Sequence, residues 1–254
     1  MSTLQHRNPV EELTAGLPEM DRESEIARSE RPVKIKHQWY IPVKAVLDFV
    51  AALILLILTA PFTLAGIVLI KITSPGPAFY LQTRLGKNDR VFKVIKLRTM
   101  IHNAEAGTGA VWSQDGDPRI TKTGRILRKT HIDEFPQLIN VLLGQMSLVG
   151  PRPERPEIAT HLAWEVEHFE QRTRVRPGIT GLAQLRLPPD SDIEGVRRKL
   201  ACDLYYIQKV NPWLDMQIFF FTGWLFAKVF LAGAWRRIYI PDSRMITENV
   251  SDFF

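Results

Sequence analysis

The pattern of hydrophobic and polar positions changes sharply along the chain. Residues 1 to about 32 are polar and weakly periodic, which predicts a mobile acidic tail with one frayed helix over 1–33. The 22 residues from Phe49 to Ile70 then carry no charge. A straight helix of that length, at about 1.5 Å per residue, just crosses a bilayer core of roughly 30 Å. A buried helix of a soluble domain is the alternative, and the run is long for one. Pro61 stands near its middle, where it removes a backbone hydrogen bond and kinks the helix. Basic side chains flank both sides: Lys34, Lys36 and Lys44 before, Lys71, Arg84 and Lys87 after. The positive-inside tendency therefore places both flanks in the cytoplasm. Asp48, where the helix enters, lies one turn from Lys44 and can pair with it. These features predict a re-entrant membrane helix over 34–73, with Asp48 and Pro61 as its anchor residues. An ordinary Pro-kinked span is the other reading of the same pattern.

Beyond the apolar run, "SPGP" (74–77) stops the helix and "AFYLQTRLGKNDRVFKVIKLRTM" alternates with a period of two, a β-hairpin turning at "LGKND". Residues 102–118 are rich in Gly and Asp and read as a loop. "RITKTGRILRKTHIDEFPQLINVLL" reads as helix with a central break; Phe135, Leu138, Ile139, Leu142 and Leu143 form its buried face and Gly144 its stop. "RPEIATHLAWEVEHFEQRTRV" reads as an exposed helix, "RPGITGLAQ" as a turn with two glycines, and "SDIEGVRRKLACDLYYIQKV" as a helix with Leu200, Leu204 and Ile207 inward. In "NPWLDMQIFFFTGWLFAKVFLAGAWRR" only twelve uncharged residues separate Asp215 from Lys228, too few to span. Trp213, Trp224 and Trp235 recur every eleven residues and share one helix stripe, as in a helix lying at the bilayer surface; a buried core helix is the alternative. The fold expected is α/β and mainly helical: a compact cytosolic domain with a small β-hairpin, the re-entrant helix and interfacial amphipathic helices, bounded as 74–236, with a C-terminal extension over 237–254.

Charge sharpens this picture. The chain has 254 residues and a net charge of +6. Residues 1–31 hold seven acidic and four basic side chains, so the remainder carries +9. A basic body suits a polyanionic partner: nucleic acid, phosphorylated metabolites or an anionic membrane. The single cysteine, Cys202, makes no internal disulfide, and no Cys/His zinc spacing is present. No aromatic–basic ladder or groove-reading motif supports nucleic acid, and no signal peptide is recognisable at the start.

The basic residues gather instead around "RKTHIDEFPQLINVLLGQMSLVGPRPERPE" (128–157). Pro136 is tolerated only in a first helical turn, which places Asp133 and Glu134 at or just before a helix start. Arg128 lies five residues before Asp133, and the Pro-Arg-Pro frame stiffens Arg152. A carboxylate among cations is expected to stay ionised at neutral pH, able to attack phosphorus or to bind Mg²⁺. The alternative is structural: Asp133 as an N-cap, Glu134 as a first-turn acid, and the proline segment as a linker.

Three blocks decide between these readings. "SPGPAFYLQTRLGKNDRVFKVIKLRTM", "DPRITKTGRILRKTHIDEFPQLINVLLGQMSLVGPRPE" and "RVRPGITGLAQ" resemble, in order and spacing, the signatures of the bacterial sugar transferases, the monotopic phosphoglycosyl transferases of glycan assembly. The resemblance runs from about Lys44 to Val210. It implies transfer of a sugar 1-phosphate from a nucleotide diphosphate sugar, usually a UDP-sugar, to polyprenyl phosphate, with release of UMP. It implies Asp133 as nucleophile and Mg²⁺ ligand. Glu134 is its partner, helping to deprotonate or position the acceptor. Lys96, Arg128 and Arg152 are the implied phosphate-site cations. It also implies inner-membrane lipids as partners and the cytoplasmic face of the bacterial inner membrane as the location; a homo-oligomer is left open. The chain departs from the family in two places: Ala60-Pro61 stands where a Ser-Pro pair breaks the membrane helix, with Thr59 or Thr63 as substitute hydroxyls, and Lys44 is followed by Ala45 where a basic pair is usual. A non-catalytic membrane scaffold is the competing function; intact Asp133, Glu134, Arg128 and Arg152 argue against it.

Overall fold

The computed structural model describes residues 32–104, 116–188 and 192–230. The expected acidic tail, most of the Gly/Asp-rich loop, Trp235 and the C-terminal extension lie outside the described residues. Helix α1 runs from Tyr40 to Thr73, 34 residues with Pro61 inside. The helical course is thus continuous through Pro61, although its missing N–H leaves one rung of the ladder unmade. Thr59 and Thr63 donate back to the carbonyls of Leu55 and Thr59, at 2.7 and 3.1 Å, bracketing the proline. Ser74, in extended backbone, ends the helix, and Gly76, at φ +107°, turns the chain.

Among the described residues α1 is the one helix long and apolar enough to cross a membrane by length and composition. Its burial is confined to its two ends. Tyr40, Lys44, Asp48 and Ala52 are buried at one end, Gly66 and Ile70 at the other, while Ile57, Leu58, Phe62 and Leu64 between them are exposed. Gly66 has a packing reason: a Cβ there would sit 2.8 Å from Leu97 and also meet Leu127 and Ile132. Both ends of α1 therefore rest on the same globular body.

The expected hairpin is present. Strands β1 (Phe79–Leu85) and β2 (Val91–Leu97) pair antiparallel with Phe79 opposite Leu97 and Leu85 opposite Val91. Helices α2 (Lys122–Lys129) and α3 (Gln137–Leu142) flank a 3-10 turn, Ile132–Glu134, which is the expected break. Gly144 takes φ +71° just past α3, as a helix stop requires. The buried face of α3 differs from expectation: Leu143 is exposed, and Gln137, Leu138, Asn140 and Val141 point inward. Asn140 explains the shift. Its amide donates to the Lys93 carbonyl (2.8 Å) and Gln145 (2.7 Å) and accepts from the Ile95 N–H (3.0 Å), so a polar residue turns α3 toward β2.

The glycine segment holds a second correction. Instead of a turn, Gly178–Thr180 is strand β4, parallel to β3 (Ser147–Val149), followed by the short helix α5 (Leu182–Arg186). Gly178 is needed because a Cβ would lie 2.1 Å from the Gly150 nitrogen. Helix α4 (Pro156–Glu165) ends earlier than expected, at the extended Val166, and a 3-10 segment Phe169–Arg174 follows the left-handed His168. Ala159, Leu162 and Phe169 are buried, so this region is not a fully exposed helix. Helix α6 (Ile193–Lys209) carries Leu200, Leu204 and Ile207 into the core as its periodicity predicts. Helix α7 (Pro212–Phe230) completes the fold, with Trp213 and Phe220 exposed and Ile218 buried.

Candidate active site

The pleat of β2, the 3-10 turn and the segment after β3 converge on Glu134. Lys96 Nζ lies 3.0 Å from Glu134 Oε1, and Arg152 Nη2 reaches the same oxygen at 2.7 Å. The Arg152 segment is held from behind. Arg84 binds the Glu154 carboxylate (3.1 Å) and the Pro153 carbonyl (2.9 Å), and Arg172 spans from the Arg152 carbonyl (3.0 Å) to the buried Asp203 (2.8 Å). Arg128, at the end of α2, donates its Nε to Thr99 Oγ1 at 2.9 Å.

Asp133 is placed differently. It is 8% exposed, and its Oδ1 is buried with no hydrogen-bond partner. The turn that carries it is clamped on two sides. Ile132 packs into the cluster of Ile70, Ala78, Leu97 and Leu127 beneath the second end of α1. His131, in the left-handed region at φ 54°, and Phe135 both lie against the Phe226 ring of α7, at 5.3 and 6.4 Å between ring centroids. The turn that bears Asp133 is therefore gripped between α1 and α7.

The electrostatics separate the two carboxyls. Burial pushes Asp133 up to about 7, reinforced by the neighbouring Glu134 and opposed by Lys96, Arg128 and Arg152. Burial acts on Glu134 too, yet Arg152 and Lys96, with their hydrogen bonds, hold it well below the usual carboxylate range. The expectation of an Asp133 fully ionised among cations is thus corrected: the cations contact Glu134, and Asp133 titrates near neutrality. Lys96 is itself lowered by burial, with Glu134 opposing the shift.

Among the described residues no group of three or more His, Cys, Asp or Glu forms a metal cage. The unpartnered, buried oxygen of Asp133 nevertheless fits Mg²⁺, a hard cation that commonly takes one carboxylate and completes its shell with substrate phosphates and water.

Of the sequence-predicted residues, Lys96, Glu134 and Arg152 are in direct contact and Asp133 adjoins them; Arg128 stands at the edge on Thr99. Asp48 belongs to a second buried cluster at the foot of α1. There Lys44 bridges Asp48 (3.4 Å) and Asp215 (2.7 Å), Ser147 donates to Asp48 (2.5 Å), and Tyr40 and Tyr206 donate to Asp215 (2.9 and 2.7 Å). Asp215 is the residue that sequence reasoning missed. The signal was an acid inside an aromatic, apolar run, which needs a buried partner.

Comparison with known proteins agrees with this arrangement. The chain is 44% identical over 183 residues to a UDP-N-acetylgalactosamine-undecaprenyl-phosphate N-acetylgalactosaminephosphotransferase of Aeromonas hydrophila, covering 72% of this chain and 43% of that one. It is 45% identical over 177 residues to a UDP-glucose:undecaprenyl-phosphate glucose-1-phosphate transferase of Caulobacter vibrioides, 69% of this chain and 66% of that one. An exopolysaccharide production protein, PSS, of Rhizobium leguminosarum bv. phaseoli is 44% identical over 185 residues, 70% of this chain and 92% of that one. The match thus spans about half to two thirds of the first two relatives and nearly all of the third. The family model for bacterial sugar transferases matches residues 39–229, the stretch that holds both buried clusters and every described helix, and the chain belongs to that family.

Proposed function

We propose that the protein transfers a sugar 1-phosphate from a UDP-sugar to polyprenyl phosphate at the cytoplasmic face of the bacterial inner membrane. The observation that carries this is Asp133: a buried carboxyl with a free oxygen, one residue from a carboxylate that gathers Lys96 and Arg152. In the first step an Asp133 oxygen attacks the phosphorus that bears the sugar. The bridging P–O bond breaks, UMP leaves with the bonding electrons, and an aspartyl phosphosugar forms. In the second, a phosphate oxygen of the acceptor attacks the same phosphorus and the Asp133 carboxylate leaves, giving a polyprenyl diphosphosugar. Arg152 offers a planar fork to phosphate oxygens and Lys96 a point charge. A carboxylate held as low as Glu134 is a poor base, so its part is to hold these cations in place. Mg²⁺, when bound at Asp133 with the diphosphate, neutralises charge on the leaving group. A covalent intermediate lets two anionic substrates use one cationic site in turn, which avoids their mutual repulsion.

The seating proposed for α1 is re-entrant, with 34–73 as the anchor and 74–236 as the catalytic body. Support comes from the burial of both helix ends on one body: a simple span would carry one end to the far side of the bilayer.

Incubation with a panel of UDP-sugars and undecaprenyl phosphate should release UMP for at least one donor, and donor alone should leave a phosphosugar on the peptide carrying Asp133. Absence of the adduct during active turnover would remove the covalent step. For the anchor, a cysteine at the exposed Lys34 should resist labelling from outside intact cells, with the buried Cys202 silent. Ready labelling means that the segment spans.

A further inference from the structure

A cavity of about 200 Å³ opens beside the first turns of α1. Ile41, Pro42 and Ala45 form its helix wall, and Lys87, Arg174 and Arg176 line the opposite side. It shares no lining residue with Asp133, Glu134, Lys96 or Arg152. Its charge is unbalanced. Lys44 is matched by Asp48 and Asp215, whereas Lys87, Arg174 and Arg176 have no ion-pair partner among the described residues. Arg174 also buries its Nε with no hydrogen-bond acceptor. A buried donor of this kind is normally satisfied, so an acceptor from outside the chain is called for.

Position says which acceptor. Lys44 and Asp48 sit immediately before the uncharged run that begins at Phe49, and Val43, Val46 and Leu47 beside them are exposed apolar residues. In the seating proposed above, the cavity mouth lies where acyl chains give way to headgroups. We propose that this cavity binds the phosphate of an anionic phospholipid, with its acyl chains along the exposed Val46, Phe49 and Leu53, which helical spacing places beside Pro42 and Ala45 on α1. The assignment rests on that membrane seating and not on the transfer chemistry.

The test is native mass spectrometry of the full chain in detergent with phosphatidylglycerol or phosphatidylcholine. The wild type should retain phosphatidylglycerol in preference. Lys87→Gln, at an exposed position that perturbs no core, should weaken retention about fivefold, the worth of one basic residue near an anionic surface. Arg174→Gln/Arg176→Gln should weaken it further, and Arg174→Lys/Arg176→Lys should recover part of the loss. Equal retention of the two lipids, or unaltered retention in both Gln variants, overturns the proposal. Excess inorganic phosphate should leave the lipid bound; displacement assigns the cavity to free phosphate and overturns the headgroup reading. Failure to bind phosphatidylcholine vesicles at all overturns the membrane seating instead.

Discussion

At the foot of α1 the two aspartates have every carboxylate oxygen engaged: Asp48 by Lys44 and Ser147, Asp215 by Tyr206 on one oxygen and by Lys44 and Tyr40 on the other. At the 3-10 turn two carboxyls are buried beside two cations, yet both cations take one oxygen of Glu134 and an oxygen of Asp133 is left bare. The ingredients match; the satisfaction does not. A buried charge with every bond made is a lock, expensive to open because any loss strands a partner. A buried carboxyl with a bond unmade destabilises the fold and stays open to a partner from outside it. The first cluster fixes α1 against β3 and α7. The second leaves an acceptor open in the fold that the first secures.

The largest expected effect comes from Asp133→Asn. Turnover should fall by about three orders of magnitude or more, because an amide cannot form the aspartyl phosphosugar. Stability should move the other way. The folded carboxyl titrates near 7, above the ordinary 3.8, so the fold binds the extra proton and loses stability as pH rises through that range. At pH above 7 the Asn variant should melt at or above the wild type in detergent; UMP release within a few fold of wild type would refute the nucleophile assignment. Asp215→Asn should give the mirror image: a loss of about 2 kcal/mol in unfolding free energy, with adduct formation per folded molecule retained. If instead it destroys the adduct while the melting point holds, the two clusters are one catalytic unit. Arg152→Lys should transfer at about a tenth of the wild-type rate, since a point charge replaces a planar fork. Parity with wild type reduces Arg152 to simple charge. The smallest effect is a shift in a pH profile. Adduct formation by the wild type should rise with pH through about 7, as the attacking carboxylate forms. Glu134→Gln removes the neighbouring negative charge and frees Lys96 and Arg152, so its midpoint should fall; an unmoved midpoint means that burial alone sets Asp133.

What the sequence made legible follows from local rules. The hairpin was readable from its period of two and its Lys87-Asn88-Asp89 turn, α6 from Leu200, Leu204 and Ile207, and the break at Asp133 from Pro136. Features joined over long separations were not readable. The β3–β4 pairing depends on Gly150 and Gly178 meeting backbone to backbone, and two glycines in "RPGITG" look the same in a turn. Lys44 was paired with Asp48 from helical spacing, while its shorter contact is to Asp215, which no period connects. In the cluster around Glu134 the residue types were evident and their partition was not: Lys96, 38 positions from Glu134, chooses it over Asp133 only once β2 is folded.

Asn140 has a consequence beyond aligning α3. A two-stranded ribbon exposes an unpaired row of N–H and C=O groups along each outer margin, and such a margin recruits strands from other molecules. Along β2 the Ile95 N–H and the Lys93 carbonyl face away from β1, and the Asn140 amide answers both. One side chain thus stands in for a missing third strand. Its loss would leave a sticky margin next to Lys96, so self-association at the hairpin and disturbance of the Lys96–Glu134 contact would arise from the same missing amide.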